Sequence, residues 1–197
     1  MNRRQAIGLF ASAGLGLLVS SSPAHAFFEF FRSAPSADDF LQQLKLPEEW
    51  LVQLGPNLGA YALFLNRLSL RRISIKQIVA AHAKKHGRVA NMIPPKALWG
   101  NIRKTLKVVD QLSVRMGEPV TEVVSMYRCP SYNATCPGAK RNSYHLVNNA
   151  MDVRMDCPPR KVAAMAREMR AANLFQGGVG RYSGFTHIDT RGKNADW

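Results

Sequence analysis

The sequence predicts an α+β fold, a small antiparallel sheet flanked by helices and preceded by a helical N-terminal extension. Apolar residues recur at helical spacing through the first half of the chain. Short β-branched or alternating runs, separated by turn chemistry, fill the second half. One amphipathic helical stretch interrupts those strands. A length of 197 residues suits one domain with an extension, and 46% apolar residues suffice for a core.

Residues 1–26 read as a cleavable export signal. Arg3 and Arg4 supply the charged start, a modest run rich in Gly, Ala and Ser follows, and Ala24-His25-Ala26 forms a small-x-small cleavage pattern. The apolar run is too short and Gly-rich for a membrane span. Paired arginines before a weakly hydrophobic stretch match a twin-arginine signal in part, and an ordinary secretory signal is the alternative. The expected destination is the periplasm, with no stable membrane span after cleavage. The chain carries 27 Lys and Arg against 13 Asp and Glu, a formal charge of +14. Such charge suits nucleic acid, a membrane surface or a polyanionic wall. Export removes chromosomal nucleic acid from that set.

Residues 27–93 are expected to form the helical extension. Residues 39–54 and 57–68 carry helix-like apolar runs, with Trp50, Tyr61 and Phe64 as core candidates. Ser74 is placed to cap a helix running to Gly87. His82 and His86 fall at i and i+4, but position 83 is Ala, so the His-Glu-x-x-His pattern fails and the pair reads as a solvated helical face. Pro94-Pro95 opens a domain over 94–197. Leu98, Ile102, Leu106, Val109 and Leu112 mark a long amphipathic helix that ends at Gly117. Residues 119–127 are strand-like, 128–144 loop-like. In 149–155, Met151, Val153 and Met155 alternate with Ala150, Asp152 and Arg154. Pro158-Pro159 opens another helix, and two short strands joined at Ser183-Gly184 follow.

Three cysteines, Cys129, Cys136 and Cys157, occur in an exported chain. Oxidising conditions predict one disulfide with one thiol left over, Cys129–Cys136 or Cys136–Cys157.

The chemistry concentrates in two short stretches. His145 precedes a strand-like run that carries Asp152, and His187 lies in Thr186-His187-Ile188-Asp189. Two imidazoles and a carboxylate approach the three-ligand pattern of catalytic zinc, with a fourth position left for water. Zinc acidifies such a water and polarises a carbonyl, which suits amide hydrolysis.

Several ordered motifs strengthen this reading. They are Ile93-Pro94-Pro95 with Leu98-Trp99, the run from Tyr127 to Asn133, Ser143-Tyr144-His145 with Ala150-Met151-Asp152-Val153-Arg154, Gly177 to Tyr182, and Thr186 to Thr190. Residues 94–197 with these motifs resemble the peptidase M15 group, and within it the murein endopeptidase branch. The resemblance implies the hedgehog/D-Ala-D-Ala-peptidase fold and one zinc ion held by His145, Asp152 and His187. It implies a carbonyl-polarising role for Arg128, with a structural pairing to Asp152 as the alternative. Ser143 and Tyr144 are candidate substrate contacts; Ser143 reads equally as a turn-stabilising hydroxyl. The implied activity is hydrolysis of stem-peptide or cross-link amide bonds in peptidoglycan, as an endopeptidase. One departure stands out: many M15 peptidases carry an acidic general base three residues before the last histidine ligand, and here that position is Gly184. Asp189 shares a strand face with His187 and is the substitute, as the base or as an orienting partner of the imidazole. Tyr144 and Tyr182 are weaker donors. The loss at Gly184 also motivates an alternative, a non-catalytic zinc or peptidoglycan-binding module on the same fold.

Overall fold

Helix α1 (Pro56–Asn66) and helix α2 (Ile75–His82) open the computed structural model, which describes residues 56–197. The export-signal reading, the run at 39–54 and Trp50 lie outside the described residues. A two-stranded hairpin, β1 (Lys85–His86) and β2 (Val89–Ala90), follows. A 3₁₀ turn (Lys96–Asn101) then leads into α3 (Ile102–Met116). Strand β3 (Val120–Ser125), the short helix α4 (Pro130–Thr135), β4 (Ala150–Met155), α5 (Pro159–Ala171), β5 (Gly178–Arg181), β6 (Thr186–Asp189) and β7 (Ala195–Asp196) complete the order. The α+β class read from the sequence is the class observed.

The main sheet has five strands in the order β3-β4-β6-β5-β7. Its first three pairings are antiparallel, and the short edge strand β7 runs parallel to β5. Alternation gives the sheet two chemically distinct faces. Met151 and Val153 of β4, Ile188 of β6 and Val179 of β5 enter one core with Ile102, Leu106 and Val109 of α3 and Val162, Ala166 and Met169 of α5. Their neighbours Asp152, His187, Asp189, Gly178 and Gly180 therefore share the opposite face. The register aligns them: Ser125 pairs with Asp152, Asp152 with His187, and His187 with Gly180. One row of residues thus crosses four strands.

Ser74 caps α2 through a full capping box with Gln77. The helix does not run on to Gly87, however. It stops at His82, because the Lys84 carbonyl accepts from Asn91 N (2.8 Å) and the Lys84 ammonium reaches Glu122 (2.9 Å) and the Val124 carbonyl (2.8 Å). Those bonds turn the chain toward β3 and into the hairpin. Gly87, at φ +60°, is the first residue of its two-residue turn, a conformation that favours glycine.

The expected solvated His82–His86 face is corrected accordingly. His86 is exposed on β1, on a different element from His82. His82 is fully buried, bonded to the Tyr61 hydroxyl at 3.2 Å and packed on its ring. Tyr61 is core as expected, and Phe64 packs against that core. The expected loop at 128–144 contains α4. The expected disulfide is absent, since Cys129, Cys136 and Cys157 all carry free thiols. Cys129 and Cys136 flank α4, and their sulfurs turn to different partners, Ser131 Oγ (3.4 Å) and the Ala90 carbonyl (3.8 Å) for Cys129, the Tyr132 carbonyl (3.4 Å) for Cys136. Cys157 packs against the main core instead.

Burial drives the His82 pKa down to about 4. The folded chain thus keeps this imidazole neutral where the unfolded chain protonates it. Its stabilising contribution is complete above about pH 6.5 and is lost as the pH falls toward 4, roughly 3 kcal/mol over that window. Urea melts of the wild type and His82→Gln from pH 7 to 4 should therefore converge as the pH falls. Parallel curves would remove His82 as the cause.

Candidate metal centre

Asp152 lies in the middle of the open face, at 2% exposure. A buried carboxylate needs compensation, and its neighbours supply it. His187 stands opposite on β6 with Nδ1 2.7 Å from Oδ1. His145 Nε2 lies 3.3 Å from Oδ2, and the Arg128 guanidinium donates to the same oxygen at 2.7 Å. His145 reaches this position from a tight turn. Its carbonyl accepts from Arg128 N (3.1 Å) and Asn148 N (3.3 Å), and Asn148 takes the left-handed conformation that asparagine tolerates. The strand then begins at Ala150, which carries Asp152 back to the histidine.

The ligating atoms of His145, Asp152 and His187 all lie within 4.8 Å of one another, and all three residues are buried. The nitrogen chemistry fits a cation. His145 Nδ1 donates to the Met126 carbonyl at 2.5 Å, which leaves the Nε2 lone pair facing the cluster. His187 Nε2 lies 3.0 Å from Asp189 Oδ2. When it donates there, Nδ1 turns a lone pair toward Asp152, an arrangement that calls for a positive charge between them. Each imidazole is thus fixed by an acceptor on its far nitrogen, the outer support that metal-binding histidines use.

Electrostatics agree with the geometry. Burial opposes the Asp152 charge, yet His145 and His187 outweigh it and hold the carboxyl far below its usual range. Burial pushes His145 down against the pull of Asp152. Burial works the same way on His187, but its bonds to Asp152 and Asp189 push its pKa up.

Asp189 is fully buried beneath His187. Its Oδ1 accepts from Gly178 N (3.0 Å), Arg191 N (3.1 Å) and Arg191 Nε (2.7 Å). Its Oδ2 accepts from His187 and from Arg191 Nη2. Burial disfavours its charge, and the Arg191, His187 and Gly178 donors more than offset that, so the carboxyl sits far below its usual range. The Arg191 guanidinium lies over the Tyr144 ring, 4.0 Å from its centroid. Ser143 Oγ accepts from His145 N at 3.3 Å, the turn-stabilising contact. Tyr182 lies on the rim, stacked on Phe185 with centroids 4.5 Å apart. Gly184 lends its carbonyl to Arg154 Nε at 2.8 Å, and Arg154 in turn pairs with Glu122.

Four contributors escaped the sequence reading. Ser125 accepts from Arg128 Nε at 2.7 Å. Buried Asn91 brackets the Arg128 loop, donating to the Tyr127 carbonyl and accepting from Cys129 N, each at 2.9 Å. Arg191 follows Asp189 by two positions, a spacing from which a same-face pair was readable. Trp197 lies 5.1 Å from the His187 ring, centroid to centroid, and no periodicity pointed to it.

A buried His-Asp-His cluster on one face of a small sheet gives an α+β protein with a site that could hold a metal ion. The family model described as Peptidase M15 matches residues 71–189, more than half of the chain, and the chain belongs to that family. The match starts N-terminal to Pro94 and includes α2 and the hairpin. The family is one of zinc-dependent metallopeptidases, so membership supports a hydrolase of the metallopeptidase class. No curated protein and no solved structure matches it.

Removing Arg191 would strand the buried Asp189 charge. Arg191→Met should therefore cost about 3 kcal/mol at neutral pH, read as a lower urea midpoint. An unchanged midpoint would show that the Gly178 and His187 donors suffice.

Proposed function

We propose that the chain is a zinc-dependent peptidoglycan peptidase that hydrolyses stem-peptide or cross-link amide bonds, as an endopeptidase, outside the cytoplasm. The observation that carries this reading is the convergence of His145, Asp152 and His187 on one point of the open face. A single zinc ion held by those three residues would supply Lewis acidity, acidifying a water and polarising the substrate carbonyl. Every other task falls to the chain.

Arg128 is clamped through Nε by Ser125 and through Nη2 by Asp152, which leaves Nη1 for a substrate oxygen that gains negative charge. The pairing with Asp152 and the carbonyl-polarising role are therefore compatible in one residue. Asp189 acts as the orienting partner of His187 rather than as the base, because donors already occupy both of its oxygens. Tyr144 supports Arg191 through its ring and so acts behind Asp189. The polyanionic wall as substrate is supported by the basic balance of the chain and by the export-signal reading of 1–26. Among the described residues no helix is long and apolar enough to cross a membrane.

The purified wild type should hold one zinc per chain by elemental analysis and should release new muropeptides from isolated murein, with a chelator stopping release. Product masses identify the bond. His187→Ala should lose the zinc. Bound zinc with no new product from murein would instead support the non-catalytic module, the reading that Gly184 favours.

Asp189→Asn separates the two roles of Asp189. As an orienting residue it should weaken zinc affinity roughly 10–100-fold, with turnover recovering in excess zinc. Turnover that stays lost at full zinc occupancy would make Asp189 the base.

A further inference from the structure

We infer that the Trp197 indole is the substrate-contacting wall of the metal centre and selects a small aliphatic side chain beside the bond that is cut. This rests on the peptidase reading above and adds a specificity residue to it. Trp197 lies beyond the residues that the family model matches.

The indole is built into place. β7 pairs with β5, and the next residue continues the pairing: Trp197 N donates to the Val179 carbonyl (3.4 Å) and Arg181 N to the Trp197 carbonyl (2.8 Å). The ring then lies across the open face of β5. A Cβ added at Gly180 would fall 2.4 Å from Trp197 Nε1 and 2.5 Å from Cε2, and one at Gly178 would fall 3.0 Å from Cη2. Gly180 is thus cleared of a side chain where the indole rests, while Gly178 makes room first for Asp189 Oδ2, 2.4 Å from its added Cβ, and then for the ring edge. Gly180 is also the register partner of His187. The tryptophan therefore occupies the next place in the row that runs from Ser125 through Asp152 and His187.

Despite this support Trp197 as a residue is 46% exposed, and its neighbour Tyr182 is 43% exposed. A large aromatic held at fixed height beside a metal-binding cluster, and still open to solvent, presents a contact surface. Its chemistry is restricted. The indole N–H is spent on the Tyr182 hydroxyl at 2.9 Å, so the open part offers only C–H and π surface. The Arg191 guanidinium lies 5.2 Å from the ring, and Arg128 stands on the other side of the cluster at Asp152. Asp189 and Asp152 are already spent on these two guanidiniums, so neither carboxylate is left to attract a cationic side chain to the ring. An uncharged, methyl-bearing side chain meets each of these conditions.

The test uses the zinc-loaded protein, wild type and the variants Trp197→Phe, Trp197→Ala and Gly180→Ala, with bound zinc measured in each. Substrates are soluble cross-linked muropeptides and two synthetic peptides that differ only in Ala or Gly next to the cleaved bond. The wild type should prefer Ala by roughly tenfold or more, the usual scale for one methyl group in an apolar contact. Trp197→Ala should raise KM about tenfold with kcat and zinc content near wild type, and should erase the preference. Trp197→Phe should fall between. Gly180→Ala, which displaces the indole while keeping it, should mimic Trp197→Ala. Lost zinc, a fall in kcat alone, or an unchanged Ala-over-Gly ratio in Trp197→Ala would overturn the inference and assign the ring to packing on His187. If the wild type cleaves nothing, the peptidase reading fails by itself. Tryptophan emission then decides the contact: a shift on adding the Ala peptide that is absent in Trp197→Phe supports it, and no shift overturns it.

Discussion

The ionised Asp152, enclosed by protein on the open face, is the constraint around which the other parts of the site are arranged. A lone buried carboxylate is far too costly to keep, so its surroundings must supply positive charge or hydrogen bonds from every side. His187 arrives through strand register, His145 through a tight turn, and Arg128 through a loop that Asn91 brackets. These three routes come from distant parts of the sequence. Each needs its own support, and each support is visible: Asp189 behind His187, the Met126 carbonyl behind His145, Ser125 behind Arg128. The cluster is therefore two layers deep before any ion is considered.

That depth explains the division of the sheet. The core face is filled by aliphatic and thioether side chains that pack on α3 and α5 and make the strands rigid. Rigidity on one face is what permits Asp152 and His187 to be held in register on the other. The glycines of β5 belong to the same logic. Where β4 and β6 offer Asp152 and His187, β5 offers no side chain at Gly180, and the vacated space is filled from β7 by an indole. A short parallel edge strand, a minor feature of topology, thus brings a large side chain to the row.

The fold class, the alternation of β4, the end of α3 at Gly117 and the start of α5 after Pro158 were legible because period and punctuation encode them locally, whereas the expected first turns of α3 form a 3₁₀ segment over Lys96–Asn101. So were His145, Asp152 and His187, since ordered motifs surround them. Less legible were features decided at a distance. His82 carries the same local pattern whether α2 faces solvent or core, and only its packing on Tyr61 settles the matter. The early end of α2 depends on Lys84 reaching β3, some 40 positions away. Cysteine spacing suggested a loop staple, but α4 between Cys129 and Cys136 sends the sulfurs to separate partners. Arg191 was within reach of the two-residue strand rule, whereas Trp197 depends on the pairing of β7 with β5.

The departure at Gly184 acquires a physical meaning in this frame. A side chain there would meet Arg154 Nη2, 3.7 Å from the added Cβ, an ordinary contact. Sterics therefore do not forbid an acid at position 184. What differs is charge: Arg154 already has a carboxylate partner in Glu122, which also holds Lys84. An acid at 184 would add a second carboxylate to a guanidinium that Glu122 already neutralises. Asp189 does not take over the vacated task by default, because a carboxylate surrounded by Arg191, His187 and Gly178 has no free oxygen to approach a water. A proton acceptor at this site must then be something less enclosed than Asp189, and the stability of the cluster and the transfer of the proton become separate properties of separate residues. The two can change independently, because the cluster of His145, Asp152 and His187 makes no use of position 184.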